Sequence, residues 1–143
     1  AGGFDSHDDQ NQNQPGLLGD VSDAIAAFHD ATVELNVSDS VTAFTQSDFG
    51  RTLTSNGDGT DHAWGGNQLI VGGAVNGRDL YGSYPLLQIG GPEDVGGGRM
   101  IPSTSADQYA ATLAKWFGIP DTDLDIVAPN IGNFAQRDLG FMI

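Results

Sequence analysis

The sequence has no cysteine, only five basic side chains and no long apolar run. Without cysteine there is no disulfide bond and no thiolate ligand, so any metal ion would be held by oxygen and imidazole nitrogen. The five basic residues face nineteen acidic ones, and the formal net charge is −14. Nucleic acid and anionic membrane surfaces are bound through clustered Lys and Arg, so we expect no nucleic-acid or membrane partner. The longest apolar stretches are also too short to span a bilayer.

Glycine and carboxylate side chains are in excess. The 21 glycines in 143 residues are about twice the average usage, which predicts a fold rich in loops. The length suits a single domain over residues 1–143, with enough chain to bury a core. The carboxylates have two interpretations that can hold together: an acidic, solvated surface that keeps the protein soluble, and cation binding by a subset of them.

The first half of the chain reads as a helix, a turn and an apolar run. Residues 8–16 are polar and predict a linker, and residues 16–35 predict a helix because apolar side chains recur at alternating spacings of three and four. The run 41–45 predicts a strand that ends in a polar, glycine-rich loop, and the run 68–73 predicts a second buried strand. This order is typical of a layered α/β fold, in which strand ends carry the functional side chains.

Residues 74–98 contain many glycines and predict an irregular excursion, because a long glycine-rich segment adapts to its surroundings rather than forming a regular element. We expect Tyr81, Tyr84 and Leu86 to anchor this excursion to the body of the protein.

A second helix is predicted over residues 105–117. Ser105 and Gln108 have the spacing of a capping box, and Gly118 supplies the expected stop. The tail, residues 121–143, has scattered apolar side chains without a period and predicts irregular structure.

Two short segments contain the residues best suited to hold a metal ion. Asp5 and His7 are two positions apart, so an extended backbone directs both side chains to one face. Asp61 and His62 are adjacent and would point apart on a regular strand, so a shared site needs the irregular backbone that the flanking glycines permit. For either pair alone, a hydrogen-bonded surface pair is the alternative. Together, Asp5, His7, Asp61 and His62 predict one site for a divalent ion such as zinc, manganese or calcium.

Other polar residues of the chain have weaker patterns. His29 falls inside the predicted first helix and is expected at the helix surface or the edge of the core. Arg51 follows the predicted strand, where it either binds an anionic group such as phosphate or sulfate or pairs with Asp48. Residues 56–61 superficially resemble a calcium loop, but the glycine at position six and the glutamate at position twelve of an EF-hand are missing.

Several stretches, in order, resemble one protein family. They are GGFDSHDDQ, then FTQSDFGRTLTSNGDGTDHAWGGNQLIVGGAVNG with LYGSYPLL, then PSTSADQYAATLAKWFG and PNIGNF. They are similar to the twin-arginine-exported bacterial proteins known as the domain of unknown function 1501, a family related to the alkaline phosphatase and sulfatase superfamily. The resemblance covers essentially the whole chain, and its most specific part is the block from SDFGR to GTDH.

The resemblance implies an α/β/α sandwich with a mostly parallel central sheet, of which this chain is the C-terminal part. In that superfamily an Asp-His pair holds one metal ion, and Asp61 with His62 looks like this pair. Asp5 with His7 is similar to the motif that helps to hold a second ion. The nucleophile and the first metal-binding aspartate of the superfamily lie further towards the N-terminus. We therefore expect a missing N-terminal segment, or another chain, to complete the fold.

The expected function is that of a metal-dependent hydrolase of phosphate or sulfate esters. Arg51 and Asn67 are expected near a small anionic ester substrate, and the resemblance implies an exported protein in the periplasm or outside the cell. The alternative comes from another class of protein: a secreted structural or binding protein that keeps the fold and lacks catalysis.

Overall fold

A computed structural model describes residues 2–143, and these form two compact units. The first unit is the chain up to Gly73 together with Pro85–Pro102, and the second is Ala74–Tyr84 together with Ser103–Ile143. Among the described residues, no helix has both the length and the apolar character needed to cross a membrane.

The first unit begins with a long helix, α1, over Gln10–Glu34. The polar stretch 8–16, expected as a linker, is therefore helical from Gln10 onward, and that prediction was wrong. Glutamine is a good helix former, and Nε2 of Gln10 donates to Oε1 of Gln14 one turn later at 2.8 Å. The helix turns few side chains inward, and Thr32 is its one buried residue.

Two strands of the first unit, β1 over Thr42–Phe44 and β4 over Ile70–Gly72, pair with each other. The pairing is antiparallel, with Ala43 opposite Val71. Both expected strands therefore exist, but they are shorter than the apolar runs 41–45 and 68–73 that predicted them.

A hairpin lies between these strands in the chain. Its strands are β2 over Gly50–Ser55 and β3 over Thr60–Ala63, and they pair antiparallel across the turn at residues 56–59. The side chain of Asn56 accepts a hydrogen bond from the backbone of Gly59 at 3.0 Å and closes the turn. The polar loop expected in this region is thus largely regular structure.

The predicted α/β/α sandwich with a parallel central sheet was wrong. The described residues form two separate two-stranded antiparallel sheets and three helices, which make a small mixed α+β protein. The connections explain the difference, because a parallel pair needs a crossover of a dozen or more residues, usually helical, whereas a four-residue turn joins β2 directly to β3 as an antiparallel pair.

The second unit is built on two helices, α2 over Ala106–Phe117 and α3 over Leu124–Val127. The predicted capping box is confirmed: the Ser105 side chain accepts from the backbone of Gln108, and the Gln108 side chain accepts from the backbone of Ser105. Gly118 ends the helix with a left-handed φ of 104°, as expected. The core of this unit packs small and aliphatic side chains of α2, α3 and the turn after α3 together, namely Ala111, Ala114, Leu124, Ala128 and Ile131.

The excursion 74–98 contains no helix or strand among the described residues, which confirms the prediction of irregular structure. Within the second unit, the Tyr81 hydroxyl donates to the carbonyl of Asn76, and the ring meets Phe141 edge-on at 5.8 Å. Tyr84 and Leu86 are each more than half exposed, so burial does not make them anchors.

Candidate metal centre

The N-terminal segment, residues 4–10, lies along the β2–β3 hairpin. The backbone of Thr60 donates to the carbonyl of Ser6 at 3.3 Å, and the Asn56 amide donates to the carbonyl of His7 at 3.1 Å. Gly59 permits this contact, because a side chain at that position would overlap the backbone carbonyls of Ser6 and His7. The structure thus brings together the two segments that carry the predicted ligands.

Three of the predicted ligands form a compact group, the histidine–aspartate cluster, made of Asp5, His7 and His62. Nε2 of His62 lies 2.8 Å from Oδ1 of Asp5, and Nε2 of His7 lies 3.0 Å from the same oxygen. The two Nε2 atoms are 3.2 Å apart. Their side chains are about half exposed, with relative accessibilities of 57%, 44% and 47% in chain order. Lone pairs this close repel unless a proton or a cation lies among them.

The spacing of these atoms fits a divalent ion. They form a triangle with edges of 2.8, 3.0 and 3.2 Å. Zinc bonds to nitrogen and oxygen are about 2.0–2.2 Å long, so a point at that distance from all three atoms lies roughly 1 Å out of their plane. By distance, one ion can therefore reach all three atoms at once, and its outer positions would face solvent because the side chains are about half exposed.

Asp61, the fourth predicted ligand, lies beside the cluster rather than in it. Its Oδ1 is 3.5 Å from Nδ1 of His7, the ring nitrogen that faces away from Asp5. The hairpin is irregular at this point, because residues 52–54 of β2 lie opposite Asp61 alone, and Asp61 and His62 both approach His7. A carboxylate behind a histidine in this way holds the tautomer and the orientation of a metal-ligating ring.

Arg51 ties the two segments to each other. One of its terminal nitrogens donates to Oδ1 of Asp5 at 2.7 Å and to the carbonyl of Phe4 at 2.8 Å, and the other donates to the carbonyl of Thr60 at 2.9 Å. Its ion-pair partner is therefore Asp5, where the sequence had suggested Asp48 or a substrate anion.

The electrostatic balance of the cluster centres on Asp5. Its hydrogen bond with His62, and then that with Arg51, lower the pKa of Asp5 below the ordinary value of 3.8. A pKa lowered by folding means that the ionised carboxylate stabilises the folded state above the ordinary aspartate pKa, and that this stabilisation is lost as pH falls through the lowered value. The ionised form is also the one that binds a metal ion.

Phe49 is a residue of this site that the sequence analysis did not identify. Its ring lies parallel to that of His62, with the centroids 3.9 Å apart and 5° between the planes. The guanidinium carbon of Arg51 lies 5.0 Å from the centre of the same ring. Its position two residues before Arg51 places it on the same face of an extended backbone, but this alone does not distinguish Phe49 from a core phenylalanine.

His29 and Asn67 lie outside the cluster. His29 lies in α1 and is half-buried, outside the cluster, as expected for a helix-surface histidine. Asn67 is exposed between β3 and β4, and its role near a substrate stays a prediction.

A family model described as a protein of unknown function (DUF1501) matches residues 1–124. The chain belongs to this family. The matched range of this DUF1501 protein contains the N-terminal segment, the hairpin and every residue of the cluster. No curated protein and no solved structure matches the chain. The family that the sequence analysis named is thus confirmed. Because the family description names no function, any chemistry of this DUF1501 protein has to be argued from the geometry of its histidine–aspartate cluster.

Proposed function

We propose that this protein binds one divalent metal ion through Asp5, His7 and His62. We further propose that it forms the metal-binding part of a hydrolase of phosphate or sulfate esters. The observation that supports this is the triangle of two imidazole nitrogens and one carboxylate oxygen, with all edges at or below 3.2 Å. Two nitrogens and one oxygen suit zinc or manganese better than calcium, which takes oxygen ligands.

The residues of this chain would have different roles in such a site. When bound, a divalent ion supplies Lewis-acid polarisation of an ester oxygen. Asp5, His7 and His62 hold the ion and leave its solvent side open, since each ligand is about half exposed. Asp61 lies against the outer nitrogen of His7 and favours the tautomer whose Nε2 is free to ligate.

The ester class and the location are the finer parts of the proposal. They rest on the resemblance to twin-arginine-exported relatives of the alkaline phosphatase and sulfatase superfamily, which implies a periplasmic or extracellular protein. In this proposal the nucleophile comes from a further N-terminal segment or from another chain. Arg51 and Asn67 are the residues of this chain that could meet the anionic part of a substrate.

A non-catalytic, cation-binding protein is the second candidate. It is favoured by Arg51, because both terminal nitrogens of its guanidinium already donate to acceptors of the protein. Such an arginine has little capacity left to bind a substrate anion, and the rest of the chain is strongly acidic.

Calorimetric titration with Zn²⁺ and Mn²⁺ tests the metal site. We expect saturable binding of one ion, its loss in Asp5→Ala, and its retention in the matched control Asp8→Ala, which removes the same charge from an exposed position three residues away. Equal affinities in the two variants would contradict the proposal, because net charge alone would then explain the binding.

Hydrolysis of p-nitrophenyl phosphate and p-nitrophenyl sulfate separates the two candidate functions. Metal-dependent turnover that disappears in Asp5→Ala supports the hydrolase. Metal binding without turnover of either ester, in the protein together with the segment that completes it, supports the binding protein.

A further inference from the structure

We propose that Phe49 and Arg51 are positioning residues of the metal centre. In this inference the beginning of β2 and the residue before it hold both halves of the ligand set: Phe49, just before β2, fixes the ring plane of His62, and Arg51, within β2, fixes the carboxylate of Asp5. The inference rests on the proposed metal site and adds to it what keeps two half-exposed segments in a ligating arrangement.

The ligands come from two parts of the chain that need a common support. Asp5 and His7 lie in the N-terminal segment, and His62 lies in β3. A site of this kind loses its affinity when the segments drift by a fraction of an ångström, because metal bonds tolerate little change in length. Something outside the ligands must therefore set the distance between the segments.

Arg51 lies where it can set the distance between the N-terminal segment and β3. It pairs with His62 in the register of the hairpin, so the two side chains leave the same face of the sheet. Its guanidinium, only 17% exposed, donates to the carboxylate of Asp5, to a backbone carbonyl of the N-terminal segment and to a backbone carbonyl of β3. A planar fork that meets three acceptors at once holds them at fixed separations, which a lysine ammonium cannot reproduce.

Phe49 acts on the orientation of His62, the ligand that β3 contributes. The parallel stack at 3.9 Å leaves the His62 ring free to slide slightly but not to turn about its side-chain bonds without losing the contact. The stack thus fixes the ring plane of His62, and the contact of Nε2 with Asp5 sets which edge of the ring faces the carboxylate. The order of the stack, His62 on Phe49 and Phe49 beside Arg51, links the two supports into one unit.

The backbone of β2 is itself held in place. Gly50, between the two positioning residues, lies so close to the carbonyl of Gly65 that a side chain there would overlap it. Phe49 and Arg51 therefore project from a strand edge whose position is set by a direct backbone approach.

The first test is zinc affinity, measured by competition with a chelator. Arg51→Lys keeps the charge and removes the fork, so the Coulomb effect on the ion stays the same and only the positioning changes. Phe49→Leu removes the ring, and Phe49→Tyr keeps it. We expect Zn²⁺ to bind roughly 10- to 100-fold more weakly to Arg51→Lys and Phe49→Leu, and as in the wild type to Phe49→Tyr. The matched controls, Arg137→Lys and Phe117→Leu, alter exposed side chains of the second unit and should leave affinity unchanged.

The second test uses the metal-free protein, so that it does not depend on binding. In Arg51→Lys, hydrogen exchange of the Thr60 amide, which donates to the carbonyl of Ser6, should become faster while α1 keeps its protection. In Phe49→Leu, the ring-proton resonances of His62 should lose the upfield shift caused by the stacked phenyl ring, and in Phe49→Tyr they should keep it. Circular dichroism establishes that each variant is folded.

The outcomes separate this inference from the proposed function. Wild-type affinity in Arg51→Lys and Phe49→Leu, with unchanged exchange and resonances, overturns the positioning role. Unchanged zinc affinity with a raised KM for an anionic ester in Arg51→Lys also overturns it, because Arg51 would then contact substrate. In a further outcome, the wild type binds no zinc while the metal-free variants still show faster exchange in Arg51→Lys and the lost upfield shift in Phe49→Leu. That result would keep the positioning role of Phe49 and Arg51 and would overturn the proposed metal function.

Discussion

Replacing His62 with alanine removes one corner of the histidine–aspartate cluster. The Nε2 atom that is lost lies 2.8 Å from Asp5 and 3.2 Å from the corresponding atom of His7, and among the described residues the cluster contains no fourth ligand. Water would fill the vacated position, because the side chain is about half exposed. The substitution therefore tests the metal site while the backbone of β3 stays intact.

The size of the effect follows from the energy carried by each ligand. Structural zinc sites with four ligands bind with an apparent free energy of about 10–16 kcal/mol, or roughly 3 kcal/mol for each ligand. A tenfold change in affinity corresponds to about 1.4 kcal/mol, so His62→Ala should weaken Zn²⁺ binding by roughly 100-fold or somewhat more. Replacement of the lost nitrogen by water keeps the loss from being larger.

The assay is chelator competition at neutral pH, with His29→Ala as the matched control. His29 lies in α1, outside the cluster, so its removal takes an imidazole from the chain and leaves the three ligands in place. Equal losses in the two variants, or no loss in His62→Ala, would refute the assignment of the ligands. Metal binding releases protons from its ligands, so the affinity of the wild type should also weaken in acid.

Further predictions concern the backbone, the second unit and the response to acid. Gly59→Ala should displace the N-terminal segment and weaken zinc binding, whereas Gly66→Ala, where an added carbon meets nothing within 4 Å, should not; calorimetry with both variants measures the difference. Ser105→Ala breaks the capping box and should cost about 1 kcal/mol of stability, seen as a lower urea midpoint, and an unchanged midpoint would contradict the role of the cap. The hydrogen bond from the backbone N–H of Gly90 is the largest cause that lowers the pKa of Asp94. The amides of the loop around Asp94 should therefore stay protected from exchange above the ordinary aspartate pKa, and the loop should open as pH falls through the lowered value. Hydrogen exchange across this pH range measures the protection factors of the loop amides. In Asp94→Asn these protection factors should no longer depend on pH.

Local sequence signals determined several elements of this protein without help from the rest of the chain. The capping box at Ser105 and the stop at Gly118 were predictable because each depends on the chemistry of a few adjacent residues. The hairpin has a comparable local signal in the sequence, because β-branched Thr52 and Thr54 alternate before an Asn-Gly turn. The start of α1 was misplaced because glutamine-rich, polar sequence resembles a linker and yet propagates a helix well.

The identity of the ligand types was in the sequence, and their arrangement was not. Asp5, His7 and His62 stand out as imidazole and carboxylate groups within glycine-rich segments, which is enough to predict a cation site of some kind. Pairing over more than fifty residues decides whether they meet, and that pairing depends on Arg51 bridging the N-terminal segment and β3.

Strand direction and the supports of the site were decided by the tertiary structure alone. An apolar run predicts a strand, but whether it pairs parallel or antiparallel depends on which partner lies close enough, so β1 could pair with β4 across the intervening hairpin. Phe49 likewise has nothing in its sequence position that distinguishes it from a core phenylalanine. Its role beside His62 exists because Arg51, two positions further on, pairs with His62 in the hairpin, and this brings the rings of Phe49 and His62 to stacking distance.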